Sequence, residues 1–295
     1  MGKNGQEIDN IDAEFGIQKI KDSTFSQVFE ELLGPWFVEY GRLPVISSGM
    51  IGSRHGWVEA PYVPCPANPE EFAKKLAYVP LNIKKNKLQK IAIVPGMCHW
   101  DEGVPDVMRG EETQVAGFLW DQKDSKLIVL PGTHSKWVFT KAGKIVAFTT
   151  YMSGEIFELM VEHSILDRMM EGKKKDKDSF KRGCLQALKS SHGLLNQLFT
   201  ARTMGLFEQV EAKGIHSFLS GLIIGCEIKE GMIRYSENFK IDHAEVNLVG
   251  EISLCNLYRE AFEIANVQAN LIQNNLAVKG LFHIAKSASL KKYYE

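Results

Sequence analysis

Short apolar runs alternate with longer amphipathic segments along most of the chain. Apolar runs bounded by Gly, Pro or charged residues are typical of buried strands, and apolar residues three and four positions apart are typical of helices. On this basis we predict strands at 7–13, 43–46, 90–95, 127–130, 137–150, 245–250 and 269–272. We predict helices at 24–33, 69–77, 106–120, from Ser153 onward, and over most of the chain beyond residue 182, including 218–226. Strands that alternate with helices indicate an α/β fold.

The chain has 295 residues, more than a single hydrophobic core usually accommodates, so we predict two domains. Hydrophobic residues make up 44% of the chain and charged residues 24%. Both values are ordinary for globular proteins and argue against extensive disorder.

The charge balance argues against nucleic acid as a partner. The net charge is -1, whereas binding to a phosphate backbone needs clustered Lys and Arg. Two Lys/Arg-rich stretches, 84–90 and 173–182, are interrupted by polar and acidic residues. We interpret both as solvated loops.

The five cysteines are widely spaced and form no Cys-x-x-Cys pair. This spacing excludes a zinc ribbon and argues against a disulfide framework. The N-terminus lacks an apolar secretion core, and no apolar run approaches the roughly 20 residues that span a bilayer. We therefore expect a cytoplasmic protein with no membrane partner.

A glycine-rich loop follows the predicted strand at 43–46. Its three glycines, Gly49, Gly52 and Gly56, permit left-handed backbone conformations and close approach of main-chain N–H groups. Such a loop has room for a ligand.

The segment 106–114 begins with an Asp, which is a favourable N-cap for the predicted helix 106–120. Helical spacing would bring three further residues onto the face of Asp106: Arg109, Gly110 and Thr113. The residues leave two interpretations open. The carboxylate of Asp106 deprotonates an alcohol while Arg109 holds an anionic group of the same substrate, or the segment is a capped surface helix with local ion pairs.

The turn 131–137 carries more polar groups than a simple hairpin needs. Consecutive N–H groups of Gly132, Thr133 and His134 could cradle a phosphate, with the Thr133 and Ser135 hydroxyls and the Lys136 ammonium as further donors. The alternative is an ordinary hairpin turn in which the polar side chains bind no ligand and Trp137 is buried.

Other chemistry is disfavoured. Ser135 beside His134, and Cys98 beside His99, are adjacent on predicted strands and would point to opposite faces, which argues against a hydrolase. No His-x-x-x-His pair or Cys/His cluster occurs, so we assign no metal ligands. A Mg²⁺ ion arriving with a nucleotide needs only one or two carboxylates besides phosphate oxygens.

Several stretches, taken together and in this order, resemble the 2-dehydro-3-deoxygalactonokinase family. They are Ser48-Gly-Met-Ile-Gly-Ser-Arg-His-Gly-Trp57, Glu59-Ala-Pro-Tyr-Val-Pro-Cys-Pro66, Val94-Pro-Gly-Met97, Asp106-Val-Met-Arg-Gly-Glu-Glu-Thr-Gln114, Leu130-Pro-Gly-Thr-His-Ser-Lys-Trp-Val138, Tyr151-Met-Ser-Gly-Glu155, Phe218-Leu-Ser-Gly-Leu-Ile-Ile-Gly225 and Leu248-Val-Gly250. The resemblance spans nearly the whole chain.

This family belongs to the sugar kinase, heat-shock chaperone and actin superfamily. The resemblance implies two ribonuclease-H-like domains of the actin-like ATPase fold, 1–124 on the sugar-acid side and 125–295 on the nucleotide side. It also implies ATP with Mg²⁺, and phosphorylation of 2-dehydro-3-deoxy-D-galactonate at its 6-hydroxyl in galactonate catabolism. The expected partners are this sugar acid and the nucleotide, and a homodimer is compatible with the sequence.

The resemblance also implies roles for individual residues. Asp106 would be the general base, and the Gly132-Thr133 turn, with Ser135 and Lys136, would be the second phosphate loop. Gly250 resembles the adenosine-contacting turn. The sugar acid would be bound by Gly52, Ser53, Trp57 and Arg109, with Arg109 on its carboxylate.

One departure from the family concerns its opening segment, a strand that ends in Asp-Trp-Gly-Thr-Thr-Asn, the first phosphate loop, followed by a second strand. The present sequence begins at a stretch that resembles the turn after that second strand. We therefore expect the first domain to lack two strands. A complete kinase whose start is assigned too late would explain this departure most simply. The alternative is a catalytically impaired, non-enzymatic sugar-acid-binding remnant of such a kinase.

Overall fold

A computed structural model describes residues 1–2, 4–13, 16, 20, 24–41, 43–83, 87–120, 122–173, 175–239, 245–272 and 275–290. The described helices are α1 (Phe25–Tyr40), α2 (Pro69–Ala73), α3 (Glu111–Phe118), α4 (Ser153–His163), α5 (Lys177–Lys189), α6 (Leu194–Leu206), α7 (Ala212–Phe239), α8 (Ile252–Ile264) and α9 (Leu276–Ser287). The described strands are β1 (Val45–Ser47), β2 (Tyr62–Pro64), β3 (Ala77–Ile83), β4 (Lys87–Ile93), β5 (Gly96–Asp101), β6 (Val104–Met108), β7 (Lys126–Leu130), β8 (Ser135–Lys141), β9 (Lys144–Tyr151), β10 (Val246–Leu248) and β11 (Ala269–Leu271).

The chain forms two compact units. The first contains Met1–Ser125, Thr140–Phe148 and Asn274–Glu295, and the second contains Lys126–Phe139 and Thr149–Gln273. The two domains expected from the sequence, 1–124 and 125–295, stay a prediction.

The first unit is built on two three-stranded sheets, β1-β4-β3 and β2-β5-β6. Strand β1 runs parallel to β4 and β2 runs parallel to β5, whereas β3 and β6 are antiparallel to their neighbours. Helices α3 and α9 pack at glycine contacts, since a Cβ on Gly280 would lie 1.9 Å from the carbonyl oxygen of Thr113. A larger residue at this position would force the two helices apart.

The second unit contains β7, β10 and β11, which are neighbouring strands of a five-stranded sheet in the order β11-β10-β7-β8-β9. Strand β10 is parallel to both of its neighbours. Helices α5 and α7 approach through Gly183 and Gly221, whose Cβ atoms would meet backbone carbonyls of the facing helix at 2.1 and 2.0 Å. The long helix α7 thereby lies deep in the unit, with Phe218, Leu219 and Leu222 at most 1% exposed.

The α/β class is confirmed, and most predicted elements recur with shifted ends. The loop between β7 and β8 lies where the Pro-Gly turn was predicted. The N-terminus of α1 agrees with the predicted helix 24–33, because Thr24 is the N-cap and forms a capping box with Gln27. The helix extends further than predicted, through Pro35 to Tyr40.

The predicted helix 106–120 is wrong in its first half. Asp106 lies in β6, paired with His99 of β5, and helix α3 starts at Glu111 after Gly110. Gly110 has a φ of +114°, which allows the extended strand to turn sharply into the helix. Asp106 is therefore not an N-cap, and it does not share a helical face with Arg109, Gly110 and Thr113.

Three smaller predictions also need correction. Residues 7–13 form no strand. Ser153 is the first residue of α4 instead of its N-cap, which is Met152 and makes no side-chain capping bond. Residues 96–101 and 104–108 form the hairpin of β5 and β6, where no strand was predicted. Among the described helices, none has the length and apolarity needed to cross a membrane.

Candidate active site

A tight glycine turn after β1 forms one side of a polar cluster in the first unit. The N–H of Gly52 donates to the carbonyl of Gly49 (3.0 Å), and the N–H of Ser53 donates to that of Met50 (3.0 Å). Gly52 is buried, and a Cβ on it would lie 3.1 Å from Nη1 of Arg109 and 2.9 Å from Cγ2 of Ile93. Glycine at position 52 therefore lets the turn lie directly against the Arg109 guanidinium.

Arg109 follows β6 and is held by two contacts on its guanidinium. Nη2 donates to the carbonyl of Ala60 (2.8 Å), and the guanidinium carbon lies 4.5 Å from the ring centroid of Tyr62. Two other nitrogens, Nε and Nη1, are buried and have no hydrogen-bond partner among the described residues, and the same is true of the Ser53 hydroxyl. Unpaired buried donors are costly, so this arrangement suits an anion such as a carboxylate.

Tyr62 is a site residue that the sequence reasoning missed. It lies opposite Gly96 in the β2–β5 pair, and a Cβ on Gly96 would lie 2.6 Å from the tyrosine ring. Glycine at position 96 therefore leaves room for the Tyr62 ring, and the ring in turn packs against Arg109. Its presence in the motif 59–66 was the only signal available in the sequence.

Asp106 is half-buried in β6, three residues before Arg109. Its Oδ1 accepts the N–H of Val107 at 2.7 Å. Its charge also contributes to raising the pKa of the Cys65 thiol to about 12, after burial and the nearby Cys98. The carboxylate thus lies on the β2-β5-β6 sheet, whose neighbouring thiols stay protonated.

Trp57 packs against α1. Its ring stacks on Phe25 with centroids 6.1 Å apart and tilts against Phe29 at 5.7 Å. The side chain also packs against the buried cluster that includes Ala60 and Ile93.

Two glutamates at the start of α3 hold the backbone around Arg109. Oε2 of Glu111 accepts the Arg109 N–H (3.0 Å), and Oε2 of Glu112 accepts the Gly110 N–H (2.6 Å). Glu112 is fully buried, and burial raises its pKa to about 8. Glu112 therefore carries a proton at neutral pH and fixes the turn as a neutral group.

In the second unit, the loop 131–134 is pressed against the first turn of α4. The N–H of Glu155 donates to the carbonyl of Thr133 (3.0 Å), and the Glu155 carboxylate lies 2.6 Å from Nε2 of His134. A Cβ on Gly154 would lie 2.5 Å from the carbonyl oxygen of Gly132. The loop is therefore fixed by the helix, with a glycine at the point of closest approach.

Ser135 and Lys136 are both buried at the start of β8. The Ser135 hydroxyl donates to Oε1 of Glu227 at 2.7 Å, and Nζ of Lys136 lies 3.5 Å from the carbonyl oxygen of His134. Both side chains thus have contacts within the protein close to the loop. Glu227 is a second residue that the sequence reasoning missed.

A cavity of about 980 Å³ opens beside this loop, entirely within the second unit. This volume lies near the upper end of the ~300–1,000 Å³ usual for small-molecule sites. The lining includes Gly132 and Thr133, apolar side chains such as Phe157, cations such as Lys175, and carboxylates such as Glu158. Such a lining suits a ligand with an apolar ring system and a phosphate chain.

Gly250 lies at the edge of this region, before α8. Its φ is +145°, and a Cβ there would lie 3.4 Å from the carbonyl oxygen of Pro131. The next residues of α8, Ile252 and Ser253, line the cavity. The structure therefore brings Gly132, Thr133, Ser135, Lys136 and Gly250 together in the second unit, and Gly52, Ser53, Arg109, Asp106 and Trp57 belong to the first.

Comparison with known proteins gives consistent results. A sequence model of the 2-keto-3-deoxy-galactonokinase family matches residues 1–284. The chain is 29% identical to 2-dehydro-3-deoxygalactonokinase from Escherichia coli (strain K12) over 283 residues, covering 96% of this chain and 91% of that protein. It is 34% identical over 246 residues to Probable 2-dehydro-3-deoxygalactonokinase DgoK1 of Rhizobium meliloti (strain 1021), covering 81% and 76%.

A crystal structure of a Sinorhizobium meliloti protein assigned as a 2-dehydro-3-deoxygalactonokinase superposes with a TM-score of 0.78 at 31% identity, covering 89% of this chain and 85% of that one. The family resemblance and the α/β fold class are thereby confirmed. The chain is a kinase, and kinases of this kind use a nucleotide and a small-molecule acceptor. It belongs to the 2-keto-3-deoxy-galactonokinase family.

Proposed function

We propose that this chain transfers the γ-phosphoryl group of ATP to the 6-hydroxyl of 2-dehydro-3-deoxy-D-galactonate. One observation carries the sugar-acid part of the proposal: Nε and Nη1 of Arg109 and the Ser53 hydroxyl are buried and unpaired around Gly52. A substrate carboxylate would pair with these donors through charge-assisted hydrogen bonds.

Asp106 is proposed as the general base. It would accept the proton of the 6-hydroxyl as that oxygen attacks the γ-phosphorus and the bond to ADP breaks. Its position supports this role because it leads directly into the turn that carries Arg109. One short stretch of chain then supplies both the base and the carboxylate clamp, with Trp57 closing the apolar side.

The nucleotide is proposed to occupy the cavity of the second unit. Backbone N–H groups of Gly132 and Thr133 would donate to its phosphates, with Lys136 adding positive charge, and the turn at Gly250 would adjoin the adenosine. Ser135 would support this loop through Glu227.

Mg²⁺ is proposed to enter as the ATP complex. The described residues contain no group of three or more His, Cys, Asp or Glu side chains arranged to hold a metal ion. A magnesium ion that takes most of its ligands from phosphate oxygens and water fits such a surrounding. The ion would neutralise phosphate charge during transfer.

The remaining proposals concern partners and location. We propose that the partners are the sugar acid, the nucleotide and a second copy of the chain, with no nucleic acid or membrane. The cytoplasm is the proposed location, since ATP is an intracellular substrate.

A panel of acceptors tests the proposal. Purified protein with ATP and MgCl₂ is given 2-dehydro-3-deoxy-D-galactonate, its gluconate epimer, or the C1 amide of the galacto compound, and ADP is quantified by chromatography. We expect the galacto acid to give the highest kcat/KM and the uncharged amide to lose about 100-fold, because a charged pair is lost.

Equal rates with acid and amide would contradict the Arg109 assignment. If none of the three acceptors gives ADP but calorimetry shows that the sugar acid binds, the protein is instead the non-enzymatic binding remnant.

A further inference from the structure

Glu227 is a buried carboxyl group in the middle of α7, only 3% exposed. Oε1 accepts the Ser135 hydroxyl (2.7 Å) and the Trp137 indole N–H (2.8 Å), and Oε2 accepts the Tyr258 hydroxyl (2.6 Å). The Ser153 hydroxyl also bonds this carboxyl. Within the described part of the chain, no Lys, Arg or His forms an ion pair with this carboxyl.

The four donors come from three elements that surround the loop 131–134. Ser135 and Trp137 are alternate residues of β8, so their side chains point to one face and reach the same oxygen. Ser135 immediately follows the loop. Ser153 begins α4, whose next two residues contact Gly132 and Thr133. One carboxyl thus fixes the loop from its C-terminal end and from the helix that covers it.

Stability alone is a poor explanation for this group. Burying a carboxyl without a cationic partner is unfavourable, and an apolar side chain of similar size is often better tolerated in a core. Burial accordingly raises the pKa of Glu227, against the lowering effect of its hydrogen bonds. What the carboxyl does provide is acceptor geometry, because it takes several donors at once in fixed directions.

We propose that Glu227 is a positioning residue for nucleotide binding: it orders the loop 131–134 so that the Gly132 and Thr133 N–H groups are aligned before the phosphates arrive. The proposal rests on the nucleotide site proposed above. Pre-ordered donors act on the phosphates without further reorganisation, so their loss weakens nucleotide binding selectively.

The test uses full-length variants and direct calorimetric binding of a non-hydrolysable ATP analogue, together with the KM values for ATP and for the sugar acid. Glu227→Ala is expected to weaken analogue binding and raise the KM for ATP by about tenfold or more, with the KM for the sugar acid within about twofold of wild type. Ser135→Ala is expected to show the same selective effect, about threefold.

Glu227→Gln is the conservative variant. Its amide oxygen can still accept from Ser135 and Trp137, and its NH₂ group can donate to the Tyr258 and Ser153 hydroxyls, which accept as well as donate. It is therefore expected to bind the analogue within about threefold of wild type.

Leu219→Ala is the matched control, since it removes a fully buried side chain from the same helix outside the cavity lining. It is expected to lower the melting temperature without a selective change in ATP affinity. If Glu227→Ala fails to fold, the test is the comparison of analogue binding by Ser135→Ala and Glu227→Gln with that of wild type.

Three results would overturn the proposal: equal losses of affinity in Leu219→Ala and Glu227→Ala, unchanged analogue binding in Glu227→Ala and Ser135→Ala, or a Gln variant as weak as the Ala variant. Failure of the proposed nucleotide site is distinguishable, because wild-type protein itself would then not bind the analogue.

Discussion

The guanidinium of Arg109 rests on the ring of Tyr62, 4.5 Å from its centroid, while two guanidinium nitrogens remain buried and unpaired. The ring supports one face of the cation and leaves N–H groups available for an anion. Arg109 is thus held in place before a substrate arrives, by Tyr62 and by the carbonyl of Ala60.

This relationship predicts different results for two substitutions at position 62. Tyr62→Phe keeps the aromatic face and is expected to leave the KM for the sugar acid within about twofold of wild type. Tyr62→Leu removes the cation–π contact and is expected to raise that KM by about three- to tenfold, with the KM for ATP unchanged. Steady-state kinetics with each substrate varied in turn gives both values. If the Phe and Leu variants behave alike, the ring does not support Arg109.

Replacing Arg109 by Lys is expected to lower kcat/KM for the sugar acid by about 100-fold. Lysine keeps the positive charge but loses the planar set of donors and the stacking on Tyr62. The control is Arg54→Lys, in the glycine loop itself, where the arginine is 80% exposed and pairs with exposed Glu59. Comparable losses in both variants would show that the effect is not specific to the Arg109 guanidinium.

Asp106→Asn is expected to lower kcat by about 100- to 10,000-fold, because the amide cannot accept the hydroxyl proton. KM values for both substrates should change little, since the side-chain shape is kept. Asp101→Asn, at the end of β5 in the same hairpin, is the control and should retain wild-type kcat. An Asp106→Asn enzyme with undiminished kcat would rule out the base assignment.

Gly154→Ala tests the packing of α4 on the loop 131–134, the proposed phosphate loop. The added Cβ would lie 2.5 Å from the Gly132 carbonyl oxygen and 2.7 Å from the Thr133 Cα, so the loop has to move. We expect the KM for ATP to rise by about tenfold, with a smaller effect on the sugar acid. Gly34→Ala is the control, because its Cβ would have no atom within 4 Å in helix α1. Equal ATP affinity in both variants would contradict the assigned role of the loop.

The buried Glu112 predicts a pH-dependent stability difference. Burial raises its folded-state pKa from about 4.5 to about 8, so the native state retains a proton that the unfolded state releases. Its contribution is fully present below about pH 4.5 and is lost as the pH rises towards 8.

Glu112→Gln removes this titration, so the variant should gain stability relative to wild type between pH 5.5 and 8, by at most about 3 kcal/mol. Urea unfolding at both pH values measures the difference. Ile215→Val, a core change without a titrating group, should be destabilised equally at both. A pH-independent difference between Glu112→Gln and wild type would show that Glu112 is ionised in the native state.

The sequence predicted the parts of the fold that local patterns encode. The buried strand β7 is a continuous apolar run, and the loop after it carries Pro and Gly, so both were found. Strand β6 was missed because its side chains at Val104 and Val107 are exposed, which leaves no clear apolar alternation. Asp106 was therefore predicted to be the N-cap of a helix, whereas the N-cap of α3 in the structure is Gly110.

Site residues that act through distant partners were out of reach. In the sequence, Glu227 follows an apolar helical stretch and resembles an ordinary polar residue at the end of that stretch. Its partners Tyr258 and Ser135 are 31 and 92 residues away in the chain, so no local pattern indicates them. Arg109 was found from its motif, but the unpaired state of its nitrogens depends on Ala60 and Gly52, which only the folded chain brings against it.

Phosphorus NMR of a reaction mixture tests the central claim most directly. Protein, ATP, MgCl₂ and 2-dehydro-3-deoxy-D-galactonate are incubated together, with mixtures lacking sugar acid or protein as controls. The account predicts a new phosphomonoester resonance, coupled to the C6 protons of the sugar acid and equal in amount to the ADP formed. A complete mixture with no such resonance, whether or not ATP is hydrolysed to inorganic phosphate, would contradict it.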